Sequence, residues 1–307
     1  MRLTFVGNHS VSFSTESHLA WTFEYLGWEV IRLQENKTTV EDVVSAANSS
    51  DLFLWVRTHG WEIQGDVHSM LDRINVPTVG FHLDRYWGLD ILDRRESMIG
   101  VHPWWHVDYL FTADGGNQEN FKAKGVNHYW LPPAVVEKEC YPGSPKDEYK
   151  VDVAFVGSKG YHPEYKERGQ LIDWLEETYG SRFRRFAGDS GGTVREQALN
   201  DLYASVKVVV GDSCFAGSPY YYSDRVPETI GRHGFLIHPE TKGLFIEGLV
   251  TYRPNDFADL KEKIDYYLEH DDERRNCIEK GSIDVKKNHT YTNRVNQMLR
   301  VMGLNEL

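Results

Sequence analysis

Between Tyr220 and Phe245 the chain reads YYYSDRVPETIGRHGFLIHPETKGLF. Ser223, Asp224 and Arg225 stand just ahead of Pro227 and Glu228, and a short apolar run follows Gly234. Proline suits the first turn of a helix, where a missing N–H costs little. The residues before it would then lie at the helix N-terminus, where unpaired backbone N–H groups and the dipole favour an anion. Arg225 could clamp a phosphate there through paired N–H donors. Glu228 could accept hydrogen bonds from ribose hydroxyls. The same residues also make ordinary first-turn and surface positions, so spacing alone leaves both readings open.

In an open parallel sheet, ligands bind beyond the carboxyl ends of the strands. The first half offers the loop after Gly7, His82 and Asp84 in GFHLDRYWG, and Asp114 in FTADGG. The second half offers Ser158 and Lys159 in VGSKG, Gly188 and Asp189 in RFAGDSGG, Asp212 in VVVGDS, and the stretch Ser223–Glu228. Asp84, beside His82, is the candidate for a side-chain base, and capping of the next segment accounts for it equally well. His59, His82, Asp84, His102, His106 and Asp108 cluster in sequence, and HPWWHVD sets two histidines four apart. A metal site needs convergent ligands, and the Pro-Trp-Trp between these histidines opposes a regular helix that would align them. No metal ligand set is assigned.

The elements that must position these residues follow from short continuous apolar runs that alternate with helical patterns. LTFVG, WEVIRL, DLFLWV, VPTVGFH, DYLFT and NHYWLP read as strands, and a helix after the first is expected to bury Leu19, Trp21 or Phe23, and Leu26. Such runs predict parallel sheets covered on both faces. The stretch Leu131–Lys150 carries four prolines and no periodicity and reads as a connector. The pattern then restarts with VDVAFVG, a helix around RGQLIDWLEETYG, RFRRFAG, and VKVVVGD. The C-terminal stretch reads as helices broken at Gly281 and at a His-Thr-Tyr step.

Size and charge agree with two domains. The 307 residues are 40% hydrophobic and 26% charged, enough for two cores of about 150 residues each. A net charge of −12 opposes a broad grip on nucleic acid or an anionic membrane, which Lys and Arg would have to supply. A local basic pocket at Arg182, Arg184 and Arg185 stays possible. Nine Trp and seventeen Tyr suit either sugar-facing surfaces or large cores. Cys140, Cys214 and Cys277 are too scattered for a zinc site or a disulfide framework. With no signal peptide and no long apolar run, a cytoplasmic protein is expected.

The second half, from about Val151 to Met298, resembles the spore-maturation type of glycosyltransferase, relatives of the large group that uses nucleotide-sugar donors. The resemblance rests on VDVAFVGS with Arg168 in KERGQLIDWL, on SDRVPETIGRHGFLIHP, and on VTYRPNDFADLKEKIDYYLEHDDERRNCIEKG with NHTYTNRVNQML. In the first half VPTVGFHLDRYWG and DYLFTADGGNQENFKAKGVNHYWLPPAV are similar more loosely. It implies an α/β chain of GT-B fold: two Rossmann-like domains with parallel sheets facing a central cleft, and a C-terminal helix returning to the first. Expected boundaries are an acceptor domain at 1–135, a linker at 136–150, a donor domain at 151–288 and the helix at 289–307.

The resemblance further implies that Glu228 binds the donor ribose. Arg225 and Ser223, with Lys159 or Arg168, would hold the diphosphate and stabilise its charge as it leaves. The loop at Ala187–Asp189, including Gly188, would face the nucleobase, and Ser158 joins the donor-binding set. Arg225, Lys159 and Asp84 are the expected catalytic residues. Eight residues before Glu228 stands Tyr220, where the family's signature has a first glutamate. The implied donor is a nucleotide-diphosphate sugar, UDP-sugar favoured, with no tightly bound cofactor and no essential divalent metal. The acceptor is a saccharide, a small molecule or a hydroxylated base in DNA, and a non-catalytic sugar-nucleotide binder is the alternative. In a retaining transfer the departing diphosphate can itself help deprotonate the acceptor.

Overall fold

The computed structural model describes residues 1–57, 60–87, 93–160, 167–187, 194–213 and 218–304. They form two compact units: Met1–Pro132 together with the segment that begins at Tyr291, and Pro133–Thr290.

The first unit begins with β1 (Arg2–Gly7), α1 (Thr15–Tyr25), β2 (Glu29–Gln34), α2 (Val40–Ala47), β3 (Leu52–Val56) and β4 (Thr78–His82). It continues through α3 (Asp93–Met98), β5 (Tyr109–Thr112), α4 (Gln118–Ala123) and β6 (His128–Trp130). Among the described residues the six strands pair in parallel in the order β2-β1-β3-β4-β5-β6. All five residues of β3 are buried, because helices cover both faces of the sheet and neither face can be polar. Helix α1 starts where the Ser14 side chain accepts from Ser17 N–H, and α2 where Thr39 and Asp42 cap each other reciprocally. Leu19, Ala20 and Phe23 of α1 face the core. Trp21 is turned outward and stacks on Tyr25 at 5.0 Å, so Phe23 is the residue that fills the expected core position.

The second unit runs β7 (Val151–Val156), α5 (Glu167–Tyr179), β8 (Phe183–Phe186), α6 (Glu196–Ser205) and β9 (Val206–Val210). Then come α7 (Arg225–Gly231), β10 (Leu236–Pro239), β11 (Val250–Tyr252), α8 (Phe257–Glu269) and α9 (Asp271–Asn288). Its sheet is parallel in the order β11-β10-β9-β7-β8. Strand periodicity sorts β7 between two cores. Val153 and Phe155 pack with Leu171, Leu175, Leu260 and Ile264; Ala154 and Val156 pack with Leu202, Val226, Ile230 and Val285.

One expectation needs correcting. Helix α9 continues through Gly281. The glycine sits where α9 meets α7: a Cβ there would lie 2.7 Å from Ile230 Cγ2. The helical break falls instead at His270, between α8 and α9. In the segment after Leu131, Ala134, Val135, Val136 and Glu139 are buried and Val135 belongs to the second unit's core.

The last helix, α10 (Tyr291–Val301), packs on α1 of the first unit. The Arg294 guanidinium donates through Nε to the Pro132 carbonyl at 2.8 Å.

Candidate functional site

Chain order fixes where a ligand can sit in the second unit. From β7 the chain goes to β8 on one side and then to β9 on the other, so the order reverses between β7 and β9. The crevice beyond the carboxyl ends at such a reversal is the usual ligand position. The residues emerging there are Gly157–Ser158 after β7 and Gly211–Asp212 after β9.

Asp212 is the centre of this arrangement. Its Oδ2 accepts from Arg168 Nε–H at 2.6 Å, and its Oδ1 accepts from Arg225 Nη1–H at 3.0 Å. The Arg168 and Asp212 side chains are 2% and 4% exposed, whereas Arg225 keeps 26% of its surface open. Both guanidinium carbons lie near the Phe155 ring, at 5.9 Å for Arg168 and 5.7 Å for Arg225. Burial would lift the Asp212 carboxyl, but Arg225 and Arg168 outweigh it and hold the group below the ordinary carboxylate range. Gly157 has φ +149, and a Cβ on it would lie 3.0 Å from Arg225 Nη2. The strand-end glycine therefore makes room for the arginine. His238, fully buried beneath Gly211, is pushed down to about 4 by burial and stays neutral.

The other expected donor residues distribute unevenly around this cluster. The Ser158 carbonyl lies 3.5 Å from Arg168 Nη1. Ser223 Oγ accepts from Arg225 N–H at 3.3 Å and donates to Asp224 at 2.9 Å. Lys159 instead pairs with Asp173 of α5. Glu228 follows one turn into α7; burial first, then the charge of Asp224, lift its carboxyl to about 8. Helix α7 has only seven residues, so positive charge here comes mainly from arginine side chains. Gly188 and Asp189 lie outside the described residues. Tyr220 adopts φ +64 and donates its N–H to the Lys242 carbonyl at 2.6 Å, which ties it to the turn after β10.

In the first unit, Asp84 follows β4. Its N–H donates to His82 Nδ1 at 2.9 Å, and its carboxylate accepts from Arg95 Nη1 at 3.1 Å. Burial lowers His82 and keeps it neutral. Asp114 accepts from the backbone N–H groups of Tyr86 and Trp87 at 2.9–3.0 Å, so it fixes the chain just after Asp84. The HPWWH histidines do not converge. His102 Nδ1 accepts from Trp104 N–H and its Nε2 meets Glu62, while His106 bonds the Gly100 carbonyl. Among the described residues no three His, Cys, Asp or Glu side chains gather as a metal would require.

The basic run also dissolves into local partners. Arg182 and Lys207 share Asp152, Arg184 donates to the Glu148 carbonyl, and Arg185 donates to the Gly157 carbonyl at 3.4 Å. Part of the aromatic surplus is structural, with Trp28, Trp55, Trp104 and Trp105 all buried. Trp55 Nε1–H donates to Glu35 at 3.0 Å, a carboxyl that burial pushes up to about 7.

Two parallel Rossmann-like units define a GT-B protein, and the basic strand-end cluster of the second suits an anion. The chain belongs to the glycosyl transferase-like family, whose pattern matches residues 146–300; it is a glycosyltransferase by family. No curated protein matches it. Among solved structures, HepE from Anabaena in complex with UDP and glucose superposes with TM-score 0.63 at 11% identity, covering 99% of each chain. An alpha-glucosyltransferase in complex with UDP-glucose and DNA containing an abasic site gives 0.65 at 10%, again covering 99% of each. Sucrose-phosphate synthase from Thermosynechococcus elongatus gives 0.64 at 11%, covering 98% of each. At these identities the likeness is one of fold, and it agrees with the two-domain GT-B expectation. Among the described residues no helix is long and apolar enough to cross a membrane.

Proposed function

We propose that this glycosyltransferase takes its sugar from a nucleotide-diphosphate donor, a UDP-sugar in preference, and passes it with retention to an acceptor hydroxyl. The second unit holds the donor and the first the acceptor. The observation that carries this reading is the Arg168–Asp212–Arg225 array at the β7/β9 reversal. The UDP of the HepE complex and the UDP-glucose of the alpha-glucosyltransferase complex support the choice of base.

Arg225 meets the diphosphate and stabilises the charge that develops as the bond from the anomeric carbon to the phosphate oxygen breaks. The acceptor oxygen bonds to that carbon, and its proton passes to the leaving phosphate. Ser223 and Ser158 line the same strand ends, and Glu228 takes the ribose hydroxyls. The guanidinium groups supply the positive charge, so turnover is expected to persist in a chelator. Lys159 contributes after leaving Asp173, and Asp84 is the candidate base should a side chain rather than the leaving phosphate take that proton. Because the arginines of the basic run are locally bonded, we favour a saccharide or small-molecule acceptor over DNA. The free, buried Cys140 suits a reducing compartment, and we place the reaction in the cytoplasm.

Thermal unfolding against UDP, GDP, ADP, CDP and dTDP tests the reading. A ligand at a hundred times its Kd adds about 2.7 kcal/mol, and the shift with UDP should vanish in Glu228→Ala. Slow release of glucose from UDP-glucose would separate an enzyme from a non-catalytic binder. A salt-dependent shift with DNA would redirect the acceptor assignment. No response to any nucleotide would overturn the proposal.

A further inference from the structure

We infer that Asp212 is the positioning residue of the donor site, aiming Arg225 at the diphosphate by holding it against the buried anchor Arg168; this rests on the donor reading above. The three side chains are unequal in a way that separates their roles. Arg168 and Asp212 are sealed, at 2% and 4% exposure, and only Arg225, at 26%, reaches the surface. A buried pair of this kind has a fixed geometry, because neither charge can move without losing its partner in a low-dielectric setting. Arg225 is therefore tied on one side to an immobile carboxylate. Phe155 lies beneath it at 5.7 Å, and Gly157 leaves it the space that any Cβ would take.

The arrangement has an electrostatic oddity that positioning explains. A carboxylate beside a diphosphate site lowers the affinity of that site for an anion. Two guanidinium groups over one ring would repel each other and swing apart without it. His238 cannot take over the role of a third charge, since burial keeps it neutral. Asp212 thus costs the site one positive charge and in return fixes the direction of Arg225.

That conflict gives a test with opposite signs. Kd for UDP and for inorganic pyrophosphate would be measured by calorimetry on the full chain, with Asp212→Asn, Arg225→Ala and the double variant. Field alone predicts that Asp212→Asn binds both ligands more tightly. Positioning predicts that it binds both about tenfold more weakly, the scale of one misaligned charge-assisted hydrogen bond. It also predicts that the double variant binds no more weakly than Arg225→Ala, because Asp212 positions through that arginine and only its charge is left to remove. Unchanged or tighter binding in Asp212→Asn overturns the inference and leaves the donor reading intact, as does additive weakening in the double variant. Failure of the wild type to bind either probe removes the donor reading itself. Should Asp212→Asn not fold, Asp212→Glu keeps the charge and both oxygens but displaces them by one methylene. Weaker binding at a near-native Tm then supports positioning, and unchanged binding overturns it.

Discussion

Glu228 shows how burial changes what a residue offers a ligand. With its carboxyl lifted to about 8 by burial and by Asp224, it holds a proton at neutral pH in the free protein. In the proposed donor complex, ribose hydroxyls that donate to it favour the ionised form, so donor binding should expel that proton. UDP affinity is accordingly expected to rise with pH by up to about tenfold per unit until about pH 8, then level off. Calorimetry at pH 7 in buffers of different ionisation enthalpy should register close to one proton released. Glu228→Gln should abolish both effects, and an affinity independent of pH would remove Glu228 from the ribose site. The same shift bears on stability. A carboxyl with a raised native pKa favours folding while protonated, so its contribution is full below the ordinary glutamate range and fades as pH rises through about 8.

At the scale of elements, α7 connects the core to the candidate site. Its first residue, Arg225, stands at that site, and Ile230 near its end packs against α9 at Gly281. The closeness of that crossing sets the seating of α7. Gly281→Ala would improve intrinsic helix propensity by about 1 kcal/mol, but its Cβ would press within 2.7 Å of Ile230 Cγ2 and 3.1 Å of the Glu247 carbonyl. Overpacking of that kind costs about 1–3 kcal/mol, so a net loss of stability is expected in urea unfolding. A gain would show that α9 can shift without strain. The sequence pattern suggested a helix break at this glycine because glycine interrupts helices on propensity. Only the neighbouring helix reveals that the residue is small in order to be close.

At the scale of the whole molecule, the chain closes its first unit last. Helix α10 covers α1 through Tyr291 and His18, whose rings lie 6.2 Å apart, and Arg294 bonds the carbonyl that ends the first unit's N-terminal segment. Ending the chain after Thr290 should therefore uncover the His18 side of α1. Hydrogen exchange is expected to quicken in α1 and β6 while β7 and β9 keep their protection. Equal loss in both units would show that they unfold as one.

Much of the architecture was legible because parallel strands covered on both faces must be apolar throughout. DLFLWV and VDVAFVG could be little else, and the strand-end glycines marked where strands give way to loops. Arg225 and Glu228 stood out as candidates through residue types around Pro227. What the sequence could not show is that Asp212, thirteen residues before Arg225 and forty-four after Arg168, takes one arginine on each oxygen. It could not show that Lys159 turns to Asp173, or that the Arg182–Arg185 run is satisfied locally. Apolar periodicity is a local property, set by which face each residue must bury. The pairing of charges depends on strand order and on the reversal between β7 and β9, which bring distant loops to one sheet edge. The chain's class was written in its pattern; the geometry of its site was decided by the fold.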